Sequence, residues 1–381
     1  MIARELSSTL QSRFFQKKAI VLVGARQVGK TTLLRSLADD ARATGKKSIF
    51  LNCDEPDTRQ QLALPDSTKL GALAGDADFV FIDEAQRVQD IGLTLKLLID
   101  AFPEKQVVVS GSSALELSNR INEPLTGRKY DFHLFPLSKK ELVAHAGALE
   151  ENRLLENRLI YGAYPDVASN RGHERELLAE LASSYLYKDI FAFQDIRKPA
   201  VLETLLRALA LQIGSEASLS ELAVTCGLNV LTIRRYLDLL EKTFIVFHLP
   251  SFSRNARTEL RKSMKFYFYD NGIRNALISN FSSLALRTDT GFLWENYLMS
   301  ERLKRIHYDR SGAKGYFWRT HQQQEIDYVE EKDGVLSAFE FKWNAAQKAK
   351  LPATFATHYP DAKFTVVNRE NHQDFLLPAG A

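Results

Sequence analysis

The strongest constraint on what this chain can fold into is the run from Ala19 to Thr31. Five apolar residues, Ala19-Ile-Val-Leu-Val23, are followed directly by Gly24-Ala-Arg-Gln-Val-Gly-Lys-Thr31. The apolar run has no polar alternation, as expected of a strand covered on both faces. The next eight residues fit G-x-x-x-x-G-K-[ST]. From Lys30 to Ala43, Leu33, Leu34, Leu37 and Ala38 recur at helical spacing. A strand that ends in glycine and turns into a helix aims successive backbone N–H groups inward, at the positive end of the helix, and so cradles a phosphate. Gly24, Ala25, Arg26, Gln27, Val28, Gly29, Lys30, Thr31 and Thr32 are therefore the expected nucleotide contacts. Lys30 is expected to reach the β- and γ-phosphates, and the Thr31 hydroxyl to ligate Mg²⁺. ATP and Mg²⁺ are the expected cofactors, and ATP hydrolysis the expected reaction.

Further apolar runs at 48–51, 79–82 and 107–109, with a shorter one at 130–134, alternate with helical stretches, the pattern of a parallel α/β sheet. Phe79-Val-Phe-Ile82 delivers Asp83 to the C-terminal edge of that sheet, where a carboxylate can hold Mg²⁺ through water, and places Glu84 to polarise an attacking water. Asp-Glu at a strand end can also simply cap the next helix. Val107-Val-Val109 ends in Ser110-Gly-Ser112 at the same edge. Either serine could meet the γ-phosphate or the water, and a Ser/Gly cluster is equally a turn. Arg128 follows a helix and loop; it reads either as an arginine finger for a neighbouring subunit or as an ordinary surface residue.

At 381 residues the chain exceeds one ordinary core. Its 45% hydrophobic and 25% charged content is that of a globular protein, and its net charge of +3 confines any basic surface to a local patch. Cys53 and Cys226 are too far apart in sequence for a C-x-x-C site. No apolar run approaches bilayer length and the start lacks a signal-peptide core, so no membrane contact and a cytoplasmic location are expected. Four segments are predicted: an ATPase core at 1–137, a helical lid at 138–198, a winged helix-turn-helix at 199–278 and a final α/β domain at 279–381. The third rests on a helix, the turn Cys226-Gly-Leu-Asn229, a second helix and two strands.

With these residues in hand, the chain resembles the AAA-like ATPases that carry a C-terminal DUF4143 region. The resemblance rests on GARQVGKTTLL (24–34), FVFIDEAQ (79–86), SGSSALELS (110–118), LTGRKYDFHLFPLSKKEL (125–142), YGAYPDV (161–167), YLYKDI (185–190), SRNARTEL (253–260), YFYDNGIRNAL (267–277) and FEFKWN (339–344). It implies an AAA+/ASCE P-loop fold and makes Arg128 the inter-subunit arginine. It places Pro165 near the adenine in the lid. It also implies self-association, as a ring-like homo-oligomer of about six or seven subunits.

The C-terminal half carries two further patterns. Arg234 and Arg235 lie on the second helix of the helix-turn-helix, and Arg254, Arg257, Arg261 and Lys262 follow in the hairpin. A basic hairpin beside a recognition helix engages phosphates, so DNA is an expected partner, although such modules also bind protein. Glu295 on a helix, Asp327 on one strand, and Glu340 and Lys342 on the next resemble the four signature positions of the PD-(D/E)xK nuclease fold. A second divalent metal could sit among them. The rival to a DNA-acting ATPase is a nucleotide-gated switch for a protein partner, with a catalytically inactive C-terminal domain.

Overall fold

The computed structural model describes residues 2–63, 66–112, 121, 125–191, 199–253, 264–320 and 322–377. They form two compact units, one of residues 1–136 with 242–244, the other of 137–241 with 245–381.

The first unit is built on five parallel strands: β1 (Ala19–Val23), β2 (Ser48–Asn52), β3 (Phe79–Asp83), β4 (Gln106–Gly111) and β5 (Lys129–His133). Their order is β2-β3-β4-β1-β5. Every residue of β1, β3 and β4 is buried, which explains why these strands read as unbroken apolar runs. The helix Lys30–Ala43 buries Leu33, Leu34, Leu37, Ala38 and Ala41, as its spacing predicted. Because β4 lies between β1 and β3, the residues that leave these three strands share one edge of the sheet. In-register pairs such as Val23 with Gly111 and Ile82 with Val109 bring Gly24, Asp83 and Ser110 together there.

The second unit opens with helices. Two short helices, Ala148–Arg153 and Leu155–Tyr161, are separated at Leu154, with φ −88° and ψ 2°. The buried pair Glu151 and Arg158 spans the break at 2.9 Å. Next come the helices Pro165–Ser169, Glu174–Phe191 and Pro199–Leu211, then β6 (Glu216–Ala217) and the helices Leu219–Cys226 and Val230–Lys242, then β7 (Val246–Pro250) and β8 (Met264–Phe268). Strands β6, β8 and β7 pair antiparallel in that order. Gly227 (φ 62°) ends the first helix of the motif, and Asn229 caps the second by accepting the Thr232 amide at 2.8 Å. Strand β7 begins at Val246, after Phe244 at φ 60°.

The last segment runs from helix Thr290–Tyr308 through β9 (Lys314–Arg319), β10 (Glu325–Lys332) and β11 (Val335–Phe341) to helix Ala353–His358, β12 (Lys363–Val367) and helix His372–Leu376. Its sheet order is β12-β11-β10-β9, with only β11 and β12 parallel. One core takes Leu155 and Leu159 from the early helices, Phe247 and Tyr267 from the hairpin, and Trp294, Leu298, Tyr328 and Phe341 from the last segment. Apart from 242–244, the stretches 138–198, 199–278 and 279–381 thus share a single compact unit. No helix among the described residues is long and apolar enough to cross a membrane.

Candidate functional site

In the first unit the loop after β1 has the backbone a phosphate cradle needs. Gly29 adopts φ 95° and Gln27 φ 60°. A Cβ on Gly24 would lie 2.2 Å from the Leu134 carbonyl oxygen, so no other residue fits there. Lys30 is buried, and its Nζ donates to the carbonyls of Gly24 at 2.9 Å and Ala25 at 2.7 Å. Thr31 Oγ1 donates to Asp83 Oδ2 at 2.7 Å, and Ser110 Oγ donates to Asp83 Oδ1. A hydroxyl and a carboxylate held together beside a buried ammonium are a donor set that suits Mg²⁺ and a triphosphate, so the residues present fit both.

Glu84 follows with φ 53°, and its amide donates to Ser110 Oγ at 3.3 Å. Its carboxylate accepts from Gln86 Nε2 at 2.5 Å, and the same nitrogen reaches Ser112 Oγ at 2.8 Å. The two serines that the sequence left interchangeable therefore differ: Ser110 serves Asp83, and Ser112 serves Gln86.

The sequence marks neither Gln86 nor Arg4 as part of this site. Gln86 lies within FVFIDEAQ, and its reach to Glu84 and Ser112 has no local pattern. Arg4 lies far from the loop in sequence, yet its Nη1 donates to the Val28 carbonyl at 2.5 Å and its Nη2 to that of Phe135 at 2.6 Å. No local pattern marks such a contact.

Arg128 sits at the other edge of the sheet. The carbonyl of Arg128 accepts from the Ala19 amide at 2.9 Å, and its Nε pairs with Asp100 at 2.8 Å, both side chains being well exposed. The five residues of β1 separate it from the cradle, roughly 16 Å at about 3.3 Å per residue.

In the second unit Pro165 opens the helix Pro165–Ser169. Arg234 and Arg235 are exposed on helix Val230–Lys242. Arg254, Arg257, Arg261 and Lys262 lie outside the described residues.

The four nuclease-like positions do meet around β10 and β11. Between Ile326–Trp318 and Val329–Tyr316 the ladder slips, so Asp327 and Tyr328 together oppose Phe317 in a bulge. Asp327 Oδ2 accepts the Phe341 amide at 2.8 Å, and Lys342 Nζ donates to Glu340 Oε1 at 2.8 Å. Burial, then the nearby charges of Glu295 and Glu340, push the Asp327 carboxyl up to about 8. Burial likewise raises Glu295, against the pull of Lys265 and Tyr267. Among the described residues no group of three or more His, Cys, Asp or Glu side chains is arranged to hold a metal ion. The donors here do not fit the second divalent metal that the pattern implies.

Residues 16–143 match the AAA domain family, residues 152–284 a domain of unknown function (DUF8612) and residues 290–378 another (DUF4143). An uncharacterised protein of Mycobacterium tuberculosis is 28% identical over 348 residues, spanning 89% of this chain and 73% of that protein. One of Haemophilus influenzae is 25% identical over 362 residues, with 87% and 85% covered. Among solved structures, AMPPCP-bound DnaA from Aquifex aeolicus is 17% identical over 62% of this chain and 86% of its own, with a TM-score of 0.32. The ADP form of Aeropyrum pernix ORC2 is 13% identical over 73% and 93%, with a TM-score of 0.34.

Proposed function

The chain joins an AAA domain to a C-terminal DUF4143 region, and on that premise we propose that it is a self-associating, Mg²⁺-dependent ATPase that couples hydrolysis to its hold on DNA. The observation that carries the ATPase reading is the chain of contacts from Thr31 through Asp83 to Ser110, with Glu84 next in sequence and Lys30 buried alongside. Thr31 and Asp83 would hold Mg²⁺, which would supply positive charge beside the triphosphate when ATP is bound. Lys30 exchanges the carbonyls of Gly24 and Ala25 for phosphate oxygens, and Glu84 leaves Gln86 to orient and polarise the attacking water.

Arg128 lies too far from its own cradle for its side chain to reach it, and is exposed where a neighbouring subunit could receive it. This supports the inter-subunit role, in which a guanidinium stabilises charge on the transferring phosphoryl group. Lys30→Ala should abolish nucleotide binding. Glu84→Gln should bind ATP and lose roughly 10²- to 10⁴-fold in kcat; normal turnover in that variant would remove Glu84 from the role of base. Arg128→Ala should keep its affinity and lose about a thousandfold in turnover. Mixing Lys30→Ala with Arg128→Ala should restore part of the activity, since intact cradles then meet intact arginines. An assembled mixture that stays dead rules out the trans arrangement.

Exposed Arg234 and Arg235 support DNA as the partner, through phosphate contacts that weaken with salt. If neither duplex nor branched DNA binds in low salt or changes the ATPase rate, the DNA reading fails. One observation favours the rival, a protein-binding switch. Val224 at 83% and Leu231 at 62% exposure stand on the same two helices, and exposed apolar side chains suit a protein surface better than a phosphate backbone.

A further inference from the structure

The four-residue nuclease-like pattern calls for a divalent cation among its carboxylates, and a different cation is already there. Lys265, the second residue of β8, is 2% exposed. Its Nζ lies 3.4 Å from Glu295 Oε1 and 2.5 Å from Glu325 Oε1. Burial alone would lower this ammonium's pKa. Glu295, Glu325 and Asp327 overcome that and hold it above its ordinary value. Tyr267, two residues on and on the same face of β8, donates its hydroxyl to the same Glu295 oxygen at 2.6 Å.

Glu295 is also closed in from behind. Gly214, at φ 71°, packs so that a Cβ there would come within 3.2 Å of the Glu295 carboxyl carbon. Glu295 Oε1 is thus already taken by the Tyr267 hydroxyl and the Lys265 ammonium, where a hard cation would need an oxygen ligand. Glu340 is satisfied by Lys342, and Glu325 also faces Arg319 Nε at 3.8 Å.

We propose that Lys265 is the resident cation of the Glu295–Glu325–Asp327 cluster, excluding a divalent metal and pinning the base of the β7–β8 hairpin to the C-terminal sheet. A metal in the cluster and a seated hairpin are mutually exclusive. The nuclease-like segment is therefore a metal-free anchor for the hairpin as long as Lys265 stays in place. This inference is independent of the ATPase reading, since no residue of the cradle takes part.

The test uses the full chain without nucleotide. Mn²⁺ binding is followed by electron paramagnetic resonance, and thermal unfolding is run in parallel. The wild type should take up no Mn²⁺ that Asp327→Asn removes, and Mn²⁺ should leave its Tm unchanged. Lys265→Met keeps the length of the stem and loses the charge. It should lower Tm by at least about 5 °C, gain one Mn²⁺ site, and lose that site again when Asp327→Asn is added. If Lys265→Met alone does not fold, Lys265→Met with Glu295→Gln removes one charge of each sign and should fold. A wild-type Mn²⁺ site abolished by Asp327→Asn would overturn the inference. So would a Lys265→Met variant as stable as wild type that binds no metal, or a double variant that still fails to fold.

Discussion

Gln86 shows how much one side chain can control at the cradle. Its amide nitrogen holds the Glu84 carboxylate and the Ser112 hydroxyl at once, while its own Oε1 is buried without a partner. An unsatisfied buried acceptor costs free energy, so this arrangement is poised to rearrange. Gln86→Leu, similar in volume but lacking the amide, should free Glu84 and raise basal kcat several-fold with little change in KM for ATP. A fall in kcat would instead mark Gln86 as a positioning residue for Glu84. Cys53 lies nearby, its thiol pushed up to about 12 by burial and then by Asp83, Asp54 and Glu84. At pH 8 it should resist alkylation in the native protein and react only on unfolding, as read by mass spectrometry; labelling at a free-thiol rate would contradict the buried placement. Arg4→Ala should weaken ATP binding through the Val28 carbonyl that it braces, measured by titration calorimetry, and should leave the kcat of the bound complex nearly intact.

At the scale of elements, the motifs that carried the family resemblance divide into two kinds. GARQVGKTTLL and FVFIDEAQ build chemistry. YGAYPDV and YFYDNGIRNAL build a joint: Asp270, fully buried, accepts from the amides of Ala163 at 2.7 Å, Gly272 at 2.8 Å and Ile273 at 3.2 Å. Gly162 at φ 72° makes room for that carboxylate, since a Cβ there would lie 2.0 Å from Asp270 Oδ1. Gly162→Ala should therefore cost about 3 kcal/mol or more, combining a left-handed backbone with a clash against a buried charge. A urea midpoint equal to wild type would refute this. The bulge at Asp327–Tyr328 has no comparable signature, because residues on both sides of it still alternate like an ordinary strand.

For the molecule as a whole, the acid limb of stability should report on a buried histidine. His372 stacks edge-on to Trp294 at 5.5 Å, its Nε2 has no partner, and burial followed by the charge of Lys139 pulls its pKa down to about 4. Between about 4 and 6.5 the unfolded chain binds a proton that the folded one refuses. Stability should rise with pH across that window and be lost as pH falls through it, a contribution on the order of 3 kcal/mol. His372→Phe should flatten urea-unfolding free energies over the same range; an unchanged slope would assign the acid limb to other groups. The sequence by itself determined the cradle, the strands that carry Asp83 and Ser110, and the helix, turn and second helix around Cys226–Asn229 with the two strands that follow. In those places spacing and local backbone preference alone specify the outcome. Tertiary structure decided the rest: Arg4 on the loop, Arg128 on the far edge, Gln86 on Glu84, three expected segments around one core, and Lys265 among the carboxylates. Each of these depends on residues distant in sequence meeting in a packed interior, where burial and charge balance, not spacing, decide what a side chain does.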